Sequence, residues 1–214
     1  VGAHSEHIGI RAAGAVDHDS LHLFNAQRYF ITDNPSGARL TPQQQEAQRA
    51  RIAAIHVNLD SVRKLRPARR DSINNGADDD GSGTVTVLEI AEAFAKGTVK
   101  PKRSIVFVWH TGEEKGLLGS RYFTDNPTVP RYSIVAQINM DMVGRGAATD
   151  LAAGSDHYLQ VVGSRRLSTE LGDIAETVNL AQPNPFTLDY AYHANSHPEN
   201  IYCRSDHFEY ARYG

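Results

Sequence analysis

The feature that most constrains the fold is a wholly apolar run of β-branched and aromatic residues at 105–109. Such a run is typical of a strand that is buried on both faces, as in a parallel sheet. Residues 134–140 predict a second strand, residues 158–162 a weaker third one, and residues 1–3 the end of another strand. The sequence therefore predicts a largely parallel central sheet.

Helical patterns alternate with these strands from residue 82 onward. Apolar residues recur at the spacing of one helix face over 87–94, and Ser82 is expected to cap the start of this helix. Residues 167–180 and 206–213 predict two further helices. Alternating strands and helices indicate an α/β fold in which helices flank the sheet.

The 214 residues suit a single domain, and residues 8–75 interrupt the α/β pattern. Residues 17–34 are polar and rich in turn formers, whereas Thr41 and Pro42 open a helix that can run toward Leu65. We expect one domain over 1–214 with an insertion at about 8–75. The insertion is either a lid or cleft wall, or a plain surface elaboration. Both chain ends look cut, so a fragment of a longer chain is expected.

Composition excludes several classes of protein. The net charge of −3 does not suggest a nucleic-acid partner, and no apolar run is long enough to span a membrane. Cys203 is the only cysteine, so no internal disulfide can form. The arginines and lysine at 63–70 form either a basic patch or a solvated helix end.

Histidines and carboxylates follow the predicted strands directly. In open α/β sheets, ligand sites lie beyond the carboxyl ends of the strands. The residues expected at this edge are His4, Glu113, Glu114 and Asp141, joined by the acidic loop 76–83 and by Ser205-Asp206-His207. So many carboxylates would repel one another, and no Lys or Arg sits at these strand ends to compensate.

A divalent cation provides the missing positive charge, and mixed histidine and carboxylate ligands suit zinc. Two imidazoles and three carboxylates exceed the three protein ligands of a single catalytic zinc. The sequence therefore predicts two metal ions with one carboxylate shared between them. Zinc is the expected metal, and cobalt or manganese would also fit these ligands.

Five motifs in this order resemble the bacterial dizinc aminopeptidase family, which includes zinc-dependent leucyl aminopeptidases and glutamate carboxypeptidase II-like metallopeptidases. The matching segments are Gly2-Ala3-His4, GADDDGSG at 76–83, Glu113-Glu114 with the GLLGS that follows, Asn139-Met140-Asp141-Met142 and Ser205-Asp206-His207. The resemblance implies a zinc-exopeptidase-like α/β sandwich and a metallopeptidase catalytic domain.

The resemblance also implies a role for each matching residue. His4 and Asp141 would bind one zinc, Glu114 and His207 the other, and Asp78 would bridge both. Glu113 would be the general base, and the Asp78–Asp79 peptide bond would be cis. Candidates for stabilising the oxyanion are Tyr190, Tyr192 and Tyr202.

The family usually has Asp two residues after its first ligand histidine, where this chain has Glu6. We expect the Glu6 carboxylate to accept a hydrogen bond from His4, with water or a backbone carbonyl as the alternative partner. His7 also lies close to the expected site.

The resemblance implies an exopeptidase acting on peptides, most simply an aminopeptidase that uses a zinc-bound water. Alternatives are glutaminyl-cyclase-like acyl transfer, carboxypeptidase action aided by Arg145 or Arg204, and a catalytically silent binding module similar to the transferrin receptor. The resemblance further suggests a secreted or periplasmic protein.

Overall fold

The computed structural model describes residues 1–10, 16–32, 40–98, 100–146, 151, 156–193 and 197–214. Its strands are β1 (Gly2–His4), β2 (Gly9–Ile10), β3 (Val16–Asp17), β4 (Arg70–Asp71), β5 (Ile73–Asn74), β6 (Val108–His110), β7 (Tyr158–Gln160) and β8 (Thr187–Asp189). Its α-helices are α1 (His18–Thr32), α2 (Pro42–Ala53), α3 (Asp60–Leu65), α4 (Gly81–Lys96), α5 (Leu118–Asp125), α6 (Thr169–Leu180) and α7 (His207–Ala211). Within these ranges, no helix is both long and apolar enough to cross a membrane.

The chain divides into two compact units. One unit comprises residues 1–8 and 75–214, and the other comprises residues 9–74. The first unit contains every sequence-predicted site residue. That residues 9–74 are an insertion into a single catalytic domain stays a prediction.

Strand β1 belongs to one of the two small parallel sheets of the first unit, the other being formed by β7 and β8. It pairs in parallel with β6, His4 standing opposite His110, and Gly2 forms a parallel bridge to Asn139 on its other side. All three residues of β1 are buried. The predicted α/β class with parallel pairing and flanking helices is therefore confirmed.

The strands are shorter than the sequence predicted. Strand β6 begins at Val108 rather than at residue 105. In the predicted strand 134–140, only Asn139 forms a described bridge, because Val135 and Ile138 are largely exposed and lack a neighbouring strand among the described residues. Strand β7 covers Tyr158–Gln160 and pairs in parallel with β8.

Helix α4 packs on β1 and forms the core beside the strand ends. Val87 of this helix lies with Ala3 and Met140 in one buried cluster, flanked by Ile90 and Phe107. The start of the predicted apolar face of α4 thus packs in the core, whereas its last member, Phe94, is 38% exposed. The predicted cap is wrong, because Asp80 rather than Ser82 caps the helix, its Oδ1 accepting from the Gly83 N–H at 2.9 Å.

A glycine is required at position 83 because the Asp80 side chain and the Met140 backbone lie against its Cα, and not because of its backbone angles. A Cβ atom at this position would lie 2.3 Å from Asp80 Oδ1 and 2.4 Å from the Met140 carbonyl oxygen. We expect Gly83→Ala to lower the free energy of unfolding by about 1–3 kcal/mol, the usual cost of overpacking. Urea unfolding measures this change, and Val85→Ala on the exposed side of α4 is the control, expected to stay within about 0.5 kcal/mol of wild type. Equal effects of the two substitutions would contradict the prediction.

The second unit pairs β2 with β5 and β3 with β4, both antiparallel, and adds helices α1 to α3. Residues 18–32 form a helix where the sequence suggested a turn-rich segment, because Asp17 Oδ1 accepts from the backbone N–H groups of Asp19 and Ser20. The predicted helix from Pro42 toward Leu65 is broken into α2 and α3. Asn58 Oδ1 accepts from the Asp60 N–H at 3.0 Å, where α3 begins.

The basic cluster at 63–70 is partly exposed, and three of its five side chains are paired with one acidic residue. Three of its guanidinium groups converge on Asp19, whose side chain is only 1% exposed. Arg63, Arg66 and Arg69 each lie 2.6–2.8 Å from one of its carboxylate oxygens. Asp19 therefore ties α1 to α3 and to the segment before β4.

This cluster makes the stability of the second unit depend on pH. Hydrogen bonding from Arg69, aided by Arg63 and opposed by burial, lowers the pKa of Asp19 from 3.8 to about 2. A lowered pKa stabilises the folded state above the unfolded-state value and ceases to do so as the pH falls through the folded-state value. We expect Asp19→Asn to be less stable than wild type at pH 5, and this difference to shrink between about pH 4 and pH 2. Denaturant unfolding at several pH values measures it, and a difference independent of pH would contradict the expectation.

Candidate metal centre

His4, Glu113, Glu114 and Asp141, which the sequence predicted at the site, lie at the carboxyl ends of β1 and β6. His4 ends β1, and Glu113 and Glu114 lie in a single 3₁₀ turn that follows β6. Asp141 comes two residues after the Asn139 bridge, and the acidic loop enters from the start of α4. The strand ends thus place these side chains together, as the sequence predicted.

His4 is fully buried, and its two ring nitrogens have different surroundings. Nδ1 lies 2.9 Å from the Glu6 carbonyl oxygen, and since a carbonyl only accepts, Nδ1 is the nitrogen that donates. Nε2 therefore faces the carboxylates, 3.1 Å from Asp79 Oδ1 and 3.8 Å from Asp141 Oδ1. This is the orientation of a metal-ligating imidazole whose tautomer is fixed from behind.

The surroundings of His4 favour a positive charge. Burial by itself lowers the pKa of His4, but the hydrogen bond and charge of Asp141, with the nearby Asp80 and Glu113, raise it to about 10. The same carboxylate field that stabilises an imidazolium also stabilises a divalent cation.

Asp79 is the carboxylate that lies between the rings of His4 and His7. Its Oδ1 faces His4, while its Oδ2 lies 3.9 Å from His7 Nδ1. His7 Nδ1 in turn lies 2.6 Å from Glu114 Oε1. Asp79 therefore has one oxygen directed toward the ring of each histidine.

Asp78, the expected bridging residue, faces a different set of partners. Its Oδ2 pairs with Arg145 Nε at 2.7 Å, and its Oδ1 accepts from the Gly144 N–H at 2.9 Å and from the Ser82 hydroxyl at 3.1 Å. Asp78 Oδ2 forms this ion pair without a hydrogen bond of acceptable geometry, and Asp79 rather than Asp78 is the aspartate of the loop that lies beside the His4 ring. The cis peptide bond also lies one position later than expected, between Asp79 and Asp80.

Asp80 fixes the backbone around the centre. Its buried carboxylate accepts from the His4 N–H at 3.1 Å through Oδ2, and from the Gly83 and Met142 N–H groups through Oδ1. Burial, followed by the charge of Asp141, raises the pKa of Asp80 to about 7. This anchoring role was not predicted from the sequence, although Asp is among the residues that favour the N-cap position of a helix.

Several polar atoms at the centre are buried without a hydrogen-bond partner among the described residues. They are His4 Nε2, Glu6 Oε2, His7 Nδ1, Asp78 Oδ2, Glu114 Oε1, Asp141 Oδ1, both carboxylate oxygens of Asp206, and His207 Nε2. A buried polar group without a partner is costly, and an absent ion is one of the standard reasons for it. Imidazole nitrogens and carboxylate oxygens are zinc ligands, so this donor set fits a divalent zinc-type cation.

Glu113 lies at the centre with its side chain only 10% exposed, its Oε2 3.9 Å from His4 Nε2. Burial raises the pKa of Glu113 to about 7; His4 opposes this rise, and Asp141 adds to it. A carboxylate with a pKa near neutrality suits a group that first accepts a proton and then returns it.

Glu6 does not orient His4 with its carboxylate, which contradicts the favoured expectation. Glu6 Oε2 lies 4.0 Å from His4 Nδ1, and the Glu6 backbone carbonyl is the hydrogen-bond partner at 2.9 Å. The carboxylate instead accepts from the Glu114 N–H through Oε1 at 3.3 Å. A glutamate is one methylene longer than the family's aspartate, so its carboxylate extends beyond the His4 ring and reaches the backbone of Glu114.

We expect Glu6→Gln to change zinc affinity less than tenfold, because the amide oxygen still accepts from Glu114 and the His4 partner is backbone. Loss of the carboxylate partner of a ligating histidine would cost about 10–100-fold. Competition against a chromophoric chelator measures the affinity. A loss inside that range would restore the Glu6 carboxylate as the partner of His4.

His207 begins α7 with its Nε2 buried, and burial lowers the pKa of its ring. Tyr202 packs edge-on against it, with ring centroids 5.2 Å apart, and Arg166 lies over the Tyr202 ring. A cavity of about 1580 Å³ is lined by His207, Tyr202, Asp79, Glu113, Glu114 and Asp141, among other residues.

The other two tyrosine candidates have different surroundings. The Tyr190 hydroxyl donates to Glu176 of α6 at 2.5 Å, so it is engaged by a carboxylate and is not free to donate to an oxyanion. Tyr192 lines the cavity, with its ring edge-on to His197. The structure therefore places Tyr202, of the three candidates, in contact with a proposed metal ligand.

Residues 38–214 match the sequence profile of Peptidase family M28. Among curated proteins, the chain is 44% identical over 75 residues to a probable zinc metalloprotease of Pyrenophora tritici-repentis, covering 35% of this chain and 16% of that protein. It is 40% identical over 92 residues to leucine aminopeptidase 1 of Aspergillus fumigatus, covering 36% of this chain and 23% of that protein. Among solved structures, LapA of Legionella matches 69% of this chain and 37% of its own, with 24% identity and a TM-score of 0.46. The chain thus spans less than a quarter of the length of these two curated relatives.

Proposed function

The chain belongs to peptidase family M28, and from that premise we propose that it is a zinc aminopeptidase with two metal ions at the ends of β1 and β6. The observation that carries this proposal is the position of Asp79 between two sets of ligand-type side chains. His4 and Asp141 lie on one side of it, and Glu114 lies on the other. The names of the relatives, a zinc metalloprotease and a leucine aminopeptidase, support the same conclusion.

In this proposal His4 and Asp141 bind one zinc, Glu114 and His207 the other, and Asp79 takes the bridging role first expected of Asp78. Bound zinc lowers the pKa of a coordinated water and polarises a carbonyl group. The burial and the partnerless ring nitrogen of His207 support its inclusion.

Glu113 is the proposed general base. Its buried carboxylate lies beside His4, where it can accept the proton of the attacking water and deliver that proton to the leaving amine. It needs no metal contact of its own for this role. Tyr202 is the proposed partner of the developing oxyanion, because it lines the same cavity as Glu113 and His207.

The pairing of two basic residues favours a free amino terminus over a free carboxylate as the recognised group. The two basic residues that a carboxypeptidase would use are paired, Arg145 with Asp78 at 2.7 Å and Arg204 with Glu199 at 3.7 Å.

The test is a substrate panel with the zinc-loaded chain. We expect cleavage of leucine p-nitroanilide, and none of its N-acetylated form or of a substrate blocked at the amino end and free at the carboxyl end. Removal of metal by a chelator should abolish the activity, and added zinc should restore it. Glu113→Gln prepared in parallel controls for contaminating peptidases. Equal cleavage of the acetylated substrate would contradict an aminopeptidase.

A further inference from the structure

A third histidine, His7, lies beside the proposed centre although no matching motif gives it a role. It follows β1 by three residues, and its side chain is 18% exposed. Its Nδ1 lies 2.6 Å from Glu114 Oε1 and 3.9 Å from Asp79 Oδ2. His7, Asp79 and Glu114 each offer one ligand atom, and these atoms all lie within 4.8 Å of one another.

The contact between His7 and Glu114 is not an ordinary hydrogen bond. Both facing atoms are buried, and neither has a hydrogen bond of acceptable geometry with any described residue. His4 Nε2 shows the same combination, being near carboxylate oxygens and yet without such a bond. Buried ligand-type atoms that lie close together without hydrogen bonds between them are typical of the ligands of one shared cation.

The two oxygens of the Asp79 carboxylate face two different histidines. One of its oxygens faces His4 and the other faces His7, so an imidazole stands at each end of the carboxylate. Asp141 accompanies His4, and Glu114 accompanies His7. Each half of the centre therefore contains an imidazole, a carboxylate and one oxygen of Asp79.

The acidic loop is shaped around the His7 ring. Gly76 has a positive φ of 62°, and a Cβ atom there would lie 2.6 Å from His7 Cβ and 3.0 Å from His7 Cγ. Only glycine lets the backbone of the loop pass this close to the imidazole. The loop that supplies Asp79 therefore also holds His7 against Glu114.

We propose that His7 is a metal ligand, binding through Nδ1 on the Glu114 side of the centre together with Asp79 and Glu114. This inference rests on the proposed function, because it adds an imidazole to the proposed two-metal centre. Ligation through Nδ1 requires the ring proton on Nε2. An extra imidazole favours zinc, cobalt or nickel over magnesium or calcium, which prefer oxygen ligands.

The direct test uses the unaltered chain, labelled with ¹⁵N in its histidines and loaded with ¹¹³Cd as a zinc substitute. We expect a one-bond ¹¹³Cd–¹⁵N coupling at His7 Nδ1 and another at His4 Nε2, with signals assigned through single variants. His56 is exposed and lies in the other unit, so it should show no coupling. Coupling at His4 without coupling at His7 would overturn the inference and leave the proposed function standing. Coupling at no histidine would contradict the proposed function itself.

A pair of variants separates ligation from simple support of Glu114. His7→Asn keeps an N–H donor at the place of Nδ1 but is a poor zinc ligand, whereas His7→Asp removes the donor and supplies an anionic ligand. We expect His7→Asn to lower the affinity for one of the two zinc ions by more than about 100-fold, above the range for residues that act through another ligand. His7→Asp should retain more affinity than His7→Asn, and His56→Asn should match wild type. The reverse order, with His7→Asn close to wild type, would show that His7 only positions Glu114.

Discussion

Glu113→Gln is expected to lower the turnover of an aminoacyl substrate by about 10²–10⁴-fold, the usual contribution of general acid–base catalysis. The substitution keeps the size of the side chain but removes the group whose pKa is raised to about 7. Because the proposed ligands do not include Glu113, the zinc content should stay the same. Steady-state kinetics and elemental analysis of the same preparation measure the two quantities together.

Glu114→Gln is the matched control for this substitution, since the two residues are neighbours in one 3₁₀ turn. Glu114 faces His7 and Asp79, so its loss should lower zinc occupancy as well as turnover. If Glu113→Gln lost zinc and Glu114→Gln kept it, the roles of the two neighbours would be reversed.

Asp79→Asn and Asp78→Asn are expected to differ strongly, although the two residues are adjacent. Asp79→Asn removes the charge that lies between His4 and His7, so zinc affinity should fall by more than about 100-fold, beyond the range for residues outside the metal shell. Asp78→Asn removes the negative charge that faces Arg145, while its amide oxygen can still accept from Gly144 and Ser82, so two zinc ions should stay bound.

Isothermal titration of the metal-free chain with zinc measures both affinities and the number of sites. Far-UV circular dichroism of each variant shows that a loss of zinc is not a loss of fold. Loss of zinc from Asp78→Asn, with retention in Asp79→Asn, would return the bridging role to Asp78.

The position of the centre could be predicted because strand ends and residue types define it. The apolar run before Glu113 and the short strand β1 that ends in His4 are local signals, and parallel pairing brings the ends of these two strands together. The choice among three successive aspartates could not be predicted. Which carboxylate turns inward depends on the path of the loop backbone, which Gly76 and the partners of Asp78 determine.

The partner of His4 could not be predicted for a similar reason. The backbone carbonyl and the carboxylate of Glu6 both lie near the His4 ring. The side-chain conformation of Glu6 leaves its carboxylate 4.0 Å from His4 Nδ1, whereas its carbonyl oxygen is 2.9 Å away. The pairing of Asp19 with arginines could not be predicted from local sequence patterns, because these arginines lie 44–50 residues away along the chain. The break between α2 and α3 did carry a signal, because Asn58 is a residue that favours helix starts.

The most direct test of the two-metal centre is the count of zinc ions on the folded chain by native mass spectrometry. After loading and removal of excess metal, we expect a mass shift corresponding to two zinc ions per chain for wild type and for Asp78→Asn, with loss of zinc in Asp79→Asn. A wild-type chain that takes up one zinc ion or none under these conditions would contradict a centre organised around Asp79.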